Sequence, residues 1–108
     1  DVFPQSEGHT LVVPKDVTAR NLLDMPPEKL GPFMLVVQKV TQAVEAALTP
    51  DGIVVTQFNG APAGQTVYHL HFHIIPRKEG IPLGRHGSGG MADMGELEKL
   101  AAQIREKL

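Results

Sequence analysis

Residues 69 to 75 read His-Leu-His-Phe-His-Ile-Ile, and this alternation constrains the chain more than any other stretch of it. Strand side chains alternate between faces. His69, His71 and His73 are therefore predicted on one face, with Leu70, Phe72 and Ile74 on the other, turned into the core. Successive imidazoles are then about 6.6 Å apart along the strand, twice the ~3.3 Å rise. The fold must supply a sheet with one side to bury.

The surrounding sequence supplies partners for that strand. Its predicted span is Val67 to Pro76, and Ile53 to Phe58 reads as a strand able to pair with it antiparallel. Residues 9 to 14, His-Thr-Leu-Val-Val-Pro, read as a short strand that Pro14 ends. Thr18 to Met25 has room for one short helical turn. The clearest helix runs from about Pro27 to Leu48, where Leu30, Phe33, Val37, Val40, Val44 and Ala47 recur at three- and four-residue spacing. Pro32 lacks an N–H, which moves the expected helix start toward itself. Thr49-Pro50-Asp51-Gly52 is a stop and turn signal. After a loop from Gly80 to Gly90, an amphipathic helix places Leu97, Leu100, Ala101, Ile104 and Leu108 on one face, with Asp93 and Glu96 spaced as in a capping box. This order of elements predicts an α+β fold with an antiparallel sheet.

Composition removes several function classes. The 108 residues fit one domain, with 10 Lys and Arg against 12 Asp and Glu for a net charge of −2. That balance opposes a broad nucleic-acid surface. The absence of Cys excludes disulfides, a thiolate zinc site and a Cys nucleophile, and suits a reducing compartment. The longest apolar run, Phe33 to Val37, falls far short of the ~20 residues of a membrane span, and no signal-peptide pattern opens the chain. The sequence begins at Asp1 without Met, so the natural protein is expected to extend upstream.

A lone histidine is more often structural than functional, but three on one strand face suit two chemistries. Two His at i and i+2 on a strand can ligate zinc or iron with help from a neighbouring strand. Alternatively, a neutral imidazole attacks phosphorus and flanking imidazoles donate to the phosphoryl oxygens. The loop Asn59-Gly60-Ala61-Pro62-Ala63-Gly64-Gln65-Thr66 tilts the choice toward phosphate. Its glycines let backbone N–H groups approach an anion, and Gln65 and Thr66 can donate. No carboxylate lies between Ile53 and Arg77 to complete a metal site. The plainer reading of this loop is a hairpin connection.

His69 to Ile75 resembles the His-φ-His-φ-His-φ-φ signature of the histidine triad (HIT) family, where φ is apolar. Asn59-Gly60, Gly64-Gln65-Thr66, Asp1-Val2-Phe3-Pro4-Gln5 and Gly8 to Lys15 are similar to that family as well, and Ile75-Pro76-Arg77 with Arg85-His86 resembles its bacterial Hint-like branch. The resemblance covers nearly all of the chain and implies one HIT domain over residues 1–108. Its fold would be an antiparallel sheet with one long helix and a C-terminal helix, joined across a homodimer. It implies a cytoplasmic nucleotide hydrolase or transferase acting on nucleoside phosphoramidates or related nucleotidyl substrates, without metal or other cofactor. The partners implied are a small purine nucleotide and a second copy, with no nucleic acid and no membrane.

The motif carries over roles residue by residue. His71 matches the nucleophile that takes the nucleotidyl group, His69 the histidine that orients it, and His73 a phosphate contact. Asn59, Gly64, Gln65 and Thr66 match the phosphate loop; Asp1 matches the acceptor for ribose hydroxyls, and Val2 lines the same pocket. His9 matches a family histidine near the site, although a structural histidine at a strand start is the plainer reading. His86 would reach a partner's site, while Arg77 and Arg85 either attract the anionic substrate or are simply solvated. Family domains usually carry a segment before the residue matched by Asp1 that builds part of the base pocket, and the sequence from Asp1 does not show it. A native start at Asp1 would place an α-amino group at the ribose site. Two other functions compete: dinucleoside polyphosphate hydrolysis and a non-catalytic nucleotide-binding module. His73 opposes the uridylyltransferase branch, which carries Gln there, and the long helix opposes an all-β metal-binding cupin.

Overall fold

The structure, a computed structural model, describes residues 1, 4–81 and 93–108. Val2, Arg85, His86 and most of the expected loop from Gly80 to Gly90 lie outside the described residues. Among the described residues, three strands form one antiparallel sheet: β1 (Thr10–Val12), β2 (Gly52–Thr56) and β3 (Phe72–Arg77), in the order β1-β3-β2. Two helices, α1 (Pro27–Leu48) and α2 (Met94–Glu106), complete the α+β architecture.

The central strand is shorter than predicted. It begins at Phe72 rather than Val67 because its neighbours end there: Val12 pairs with Phe72, and Thr56 pairs with His73. Upstream of these pairs the chain bends at residues 67–69, and the Leu70 N–H donates instead to the Ala19 carbonyl at 2.8 Å. Of the three triad histidines, His73 alone lies in a strand. The expected apolar face persists nonetheless. Leu70 and Ile74 are fully buried, and Phe72 packs against them and against Phe33 edge-on at 5.7 Å. Pro76 lies past the last pair with β1, Thr10–Ile74, so no ladder bond is lost on that side.

α1 covers the core side with Phe33, Val37, Ala43 and Val44. It starts at Pro27, so Pro32 is interior and exposed rather than the first residue. Its missing N–H deprives the Glu28 carbonyl of a partner. Burial of Phe33 and partial burial of Leu30 hold this first stretch helical despite that loss. Thr49 ends the helix in the left-handed region at φ 44° and donates to Glu45 O at 2.9 Å. α2 starts as expected at Asp93, whose carboxylate accepts from the Glu96 N–H at 3.2 Å, and it packs on α1 with Ile104 buried. Among the described residues, no helix is long and apolar enough to cross a membrane.

Candidate active site

The site is built outward from a turn before β1. Gly8 has φ +85°, a conformation that L side chains rarely adopt, and a Cβ there would collide with Leu48 Cδ1. The turn directs the Gln5 N–H at His9 Nδ1, 3.0 Å away. A main-chain N–H can only donate, so His9 Nδ1 accepts. The neutral ring therefore carries its proton on Nε2. That atom lies 2.9 Å from His73 Nδ1, which must accept in turn, leaving the His73 proton on Nε2. The register permits this contact because His73 sits at the centre of the sheet, opposite Leu11 on β1 and Thr56 on β2. Both rings are buried, at 3% exposure for His9 and 1% for His73, so their orientations are fixed by packing.

Main-chain carbonyls fix the other two histidines. His71 Nδ1 is 2.7 Å from the carbonyl of His69, and His69 Nε2 is 3.0 Å from the carbonyl of Pro14. A carbonyl can only accept, so His71 carries its proton on Nδ1 and has its lone pair on Nε2. This lone pair is what a nucleophile at phosphorus requires. The His71 and His73 rings meet edge-on with centroids 4.9 Å apart. His69 orients His71 through its main chain, while its imidazole is tied to the end of the β1 segment.

The expected phosphate loop follows β2. Asn59 Oδ1 accepts from Leu22 N–H and Gln57 Nε2, both at 3.0 Å, which leaves its Nδ2 to donate elsewhere. Gly64 has φ +112° and faces the Phe58 ring, whose centroid is 5.4 Å from that of His73. Thr66 is exposed. Gln65 is not arranged as a ligand. It is 4% exposed; its Oε1 accepts from Gly60 N–H at 2.8 Å and Asn21 Nδ2 at 3.1 Å, and its Nε2 donates to the carbonyls of Arg20 and Val67. Both N–H groups of the Gln65 amide are thus bonded inside the protein.

Asp1 lies beside this network. Its nitrogen donates to the His9 carbonyl, and its Oδ2 is 3.5 Å from His9 Nε2. With His9 neutral, the contact is a charge against an N–H dipole and not an ion pair. Asp1, His9 and His73 bring potential metal ligands within 4.8 Å of one another. The donor set does not fit a cation, because the Gln5 amide leaves His9 Nε2 protonated and hence a donor. Sequence reasoning missed Gln5, Asn21 and Phe58. Gln5 acts through its backbone, and nothing in the sequence near Asn21 connects it to residue 65.

A HIT domain model matches residues 1–80. An uncharacterised HIT-like protein of Methanocaldococcus jannaschii is 45% identical over 80 residues, which is 74% of this chain and 60% of that protein. The chain thus spans little over half the length of the first curated relatives it matches. An adenosine 5'-monophosphoramidase of Candida albicans is 36% identical over 113 residues, covering 100% of this chain and 74% of that enzyme. The crystal structure of a HIT-like protein of Bartonella henselae, involved in cell-cycle regulation and holding an unknown ligand, matches with a TM-score of 0.92 at 51% identity, over 100% of this chain and 76% of that one. The two helices and the three-stranded antiparallel sheet of the described residues match the fold of these structural neighbours. With the family model spanning the histidine row, the loop and the β1 turn together, the chain belongs to the histidine triad (HIT) family.

Proposed function

We propose that this chain, one HIT domain, is a nucleotide hydrolase or transferase working through a covalent nucleotidyl-histidine at His71, with purine nucleoside phosphoramidates as substrates. The observation that carries the reading is the 2.7 Å contact between His71 Nδ1 and the His69 carbonyl, which leaves the Nε2 lone pair as the reactive one. Nε2 attacks the α-phosphorus and the bond from phosphorus to the leaving nitrogen breaks, the departing amine taking a proton from solvent water. Water then cleaves the bond between phosphorus and Nε2, releasing the mononucleotide and restoring the imidazole. His73 Nε2–H, Asn59 Nδ2 and the Thr66 hydroxyl are the donors assigned to the phosphoryl oxygens. Gly64 lets the loop backbone come close. Asp1 receives the ribose hydroxyls; Val2, which the family motif assigns to the same pocket, lies outside the described residues. Similarity to the Candida albicans phosphoramidase supports the substrate class.

The test is mass spectrometry of the protein quenched during turnover of adenosine 5'-phosphoramidate, with an adenylyl group expected on His71. H71A should lose at least about 10⁴-fold in kcat while retaining AMP binding. H69A should lose less, because the carbonyl that holds His71 remains. Wild-type turnover by H71A, or an adduct on another residue, sinks the assignment. Faster cleavage of diadenosine triphosphate than of the phosphoramidate would move the substrate class to dinucleoside polyphosphates.

A further inference from the structure

The segment from Ala19 to Asp24 has no part in the chemistry above, yet it contacts both ends of the 59–66 loop. The Leu22 N–H donates to Asn59 Oδ1 at 3.0 Å, and the Arg20 carbonyl accepts from Gln65 Nε2 at 2.6 Å. Asn21 Nδ2 donates to Gln65 Oε1 at 3.1 Å. The orientations of both amides follow from their partners. Gln65 meets two N–H donors on one side and two carbonyls on the other. Asn21 Oδ1 accepts from the Leu23 N–H at 3.0 Å, so its Nδ2 is the group that faces Gln65. The 3-10 turn Leu22–Asp24 holds Asn21 in place as its N-cap, with the Asp24 carboxylate returning to the Asn21 N–H at 3.1 Å.

We propose that Asn21 is a positioning residue. Through the Gln65 amide it holds the Gly60 N–H, and with it the loop that carries Asn59, Gly64 and Thr66, in the geometry that receives the phosphoryl group. The proposal rests on the reading of that loop as the phosphate side of the site. It reassigns Gln65 from ligand to strut. Gln65 is the one polar side chain of the loop that is buried, and its amide touches Gly60, Asn21, Arg20 and Val67 together. A strut of this kind acts on rate more than on binding, because small displacements of groups that meet the transition state are costly.

Asn21 has two separable duties. N21D keeps the oxygen that caps Leu23 and removes the N–H that reaches Gln65. N21S also keeps a capping oxygen, and its side chain is too short to reach Gln65. Both variants should retain the wild-type thermal midpoint closely, lower kcat for adenosine 5'-phosphoramidate by about tenfold to a hundredfold, and leave KM nearly unchanged. Hydrogen exchange at the Gly60 amide should accelerate in both, with exchange in β3 unaffected. A kcat within about twofold of wild type in both variants overturns the proposal. So does a fall in kcat with Gly60 exchange unchanged, since the effect then bypasses the strut. Wild-type protein that fails to turn over the phosphoramidate overturns the functional reading itself, a result distinct from either.

Discussion

Gln5 shapes the site with a single main-chain nitrogen. By donating to His9 it decides which nitrogen of His9, and then of His73, carries the proton. The motif 69–75 announces three imidazoles to any reader of the sequence, but it is silent on tautomers, because the deciding partners are main-chain groups of Gln5, Pro14 and His69. Residue type does not show the partners of Gln65 either: a primary amide in a glycine-rich loop reads as a phosphate donor, and in the fold it is bonded to Gly60, Asn21, Arg20 and Val67. Asp24 carries a pH signature at this scale. The backbone N–H of Asn21 and that of Arg20 hold its carboxyl below the usual 3.8. The unfolded chain therefore binds more protons in the window below 3.8, and stability rises with pH there. The contribution is complete above the unfolded value and is lost as pH falls through the lower, folded one. Urea titrations of wild type and D24N should thus differ most above about pH 4 and converge on acidification. A gap that widens toward low pH would contradict this.

Elements were legible where burial has a period. α1 and α2 announce themselves through residues three and four apart, and their observed faces contain Phe33, Val37, Val44 and Ile104 as read. Strand ends were less legible, because a strand lasts only as long as its neighbour. β3 stops at Phe72 on one side since β1 and β2 stop there, a fact residues 67–71 do not encode. Pro32 illustrates the opposite error: a local helix breaker was outweighed by the packing of its neighbours. The C-terminus of α1 is a place where the element is not optimal. Thr49 is exposed, β-branched and at φ 44°, a position that glycine takes without steric cost. T49G should stabilise the protein by about 1 kcal/mol, seen as a higher denaturant midpoint with an unchanged slope. A lower midpoint would mean that the Thr49 side chain makes a compensating contact.

At the scale of the molecule, the family resemblance implies a second copy, and we propose that the active form is a homodimer. In support, Met34, Leu35 and Val36 on α1 and Val55 on the edge strand β2 are exposed large hydrophobics. Sedimentation velocity at micromolar protein should give twice the monomer mass, and L35E with V55E should return it to the monomer. A monomeric wild type would end this part of the proposal. The network that sets the histidine tautomers also has a temporal side. The His9–His73 bond closes a span of 64 residues, whereas β2 and β3 are joined through the nearer segment 57–71. Loop-closure entropy delays the longer pairing. A partly folded chain with β2 on β3 and β1 still loose would keep the His69 carbonyl on His71 but have no Gln5–His9 relay to place the His73 proton, so the tautomer of His73 is set only once β1 docks.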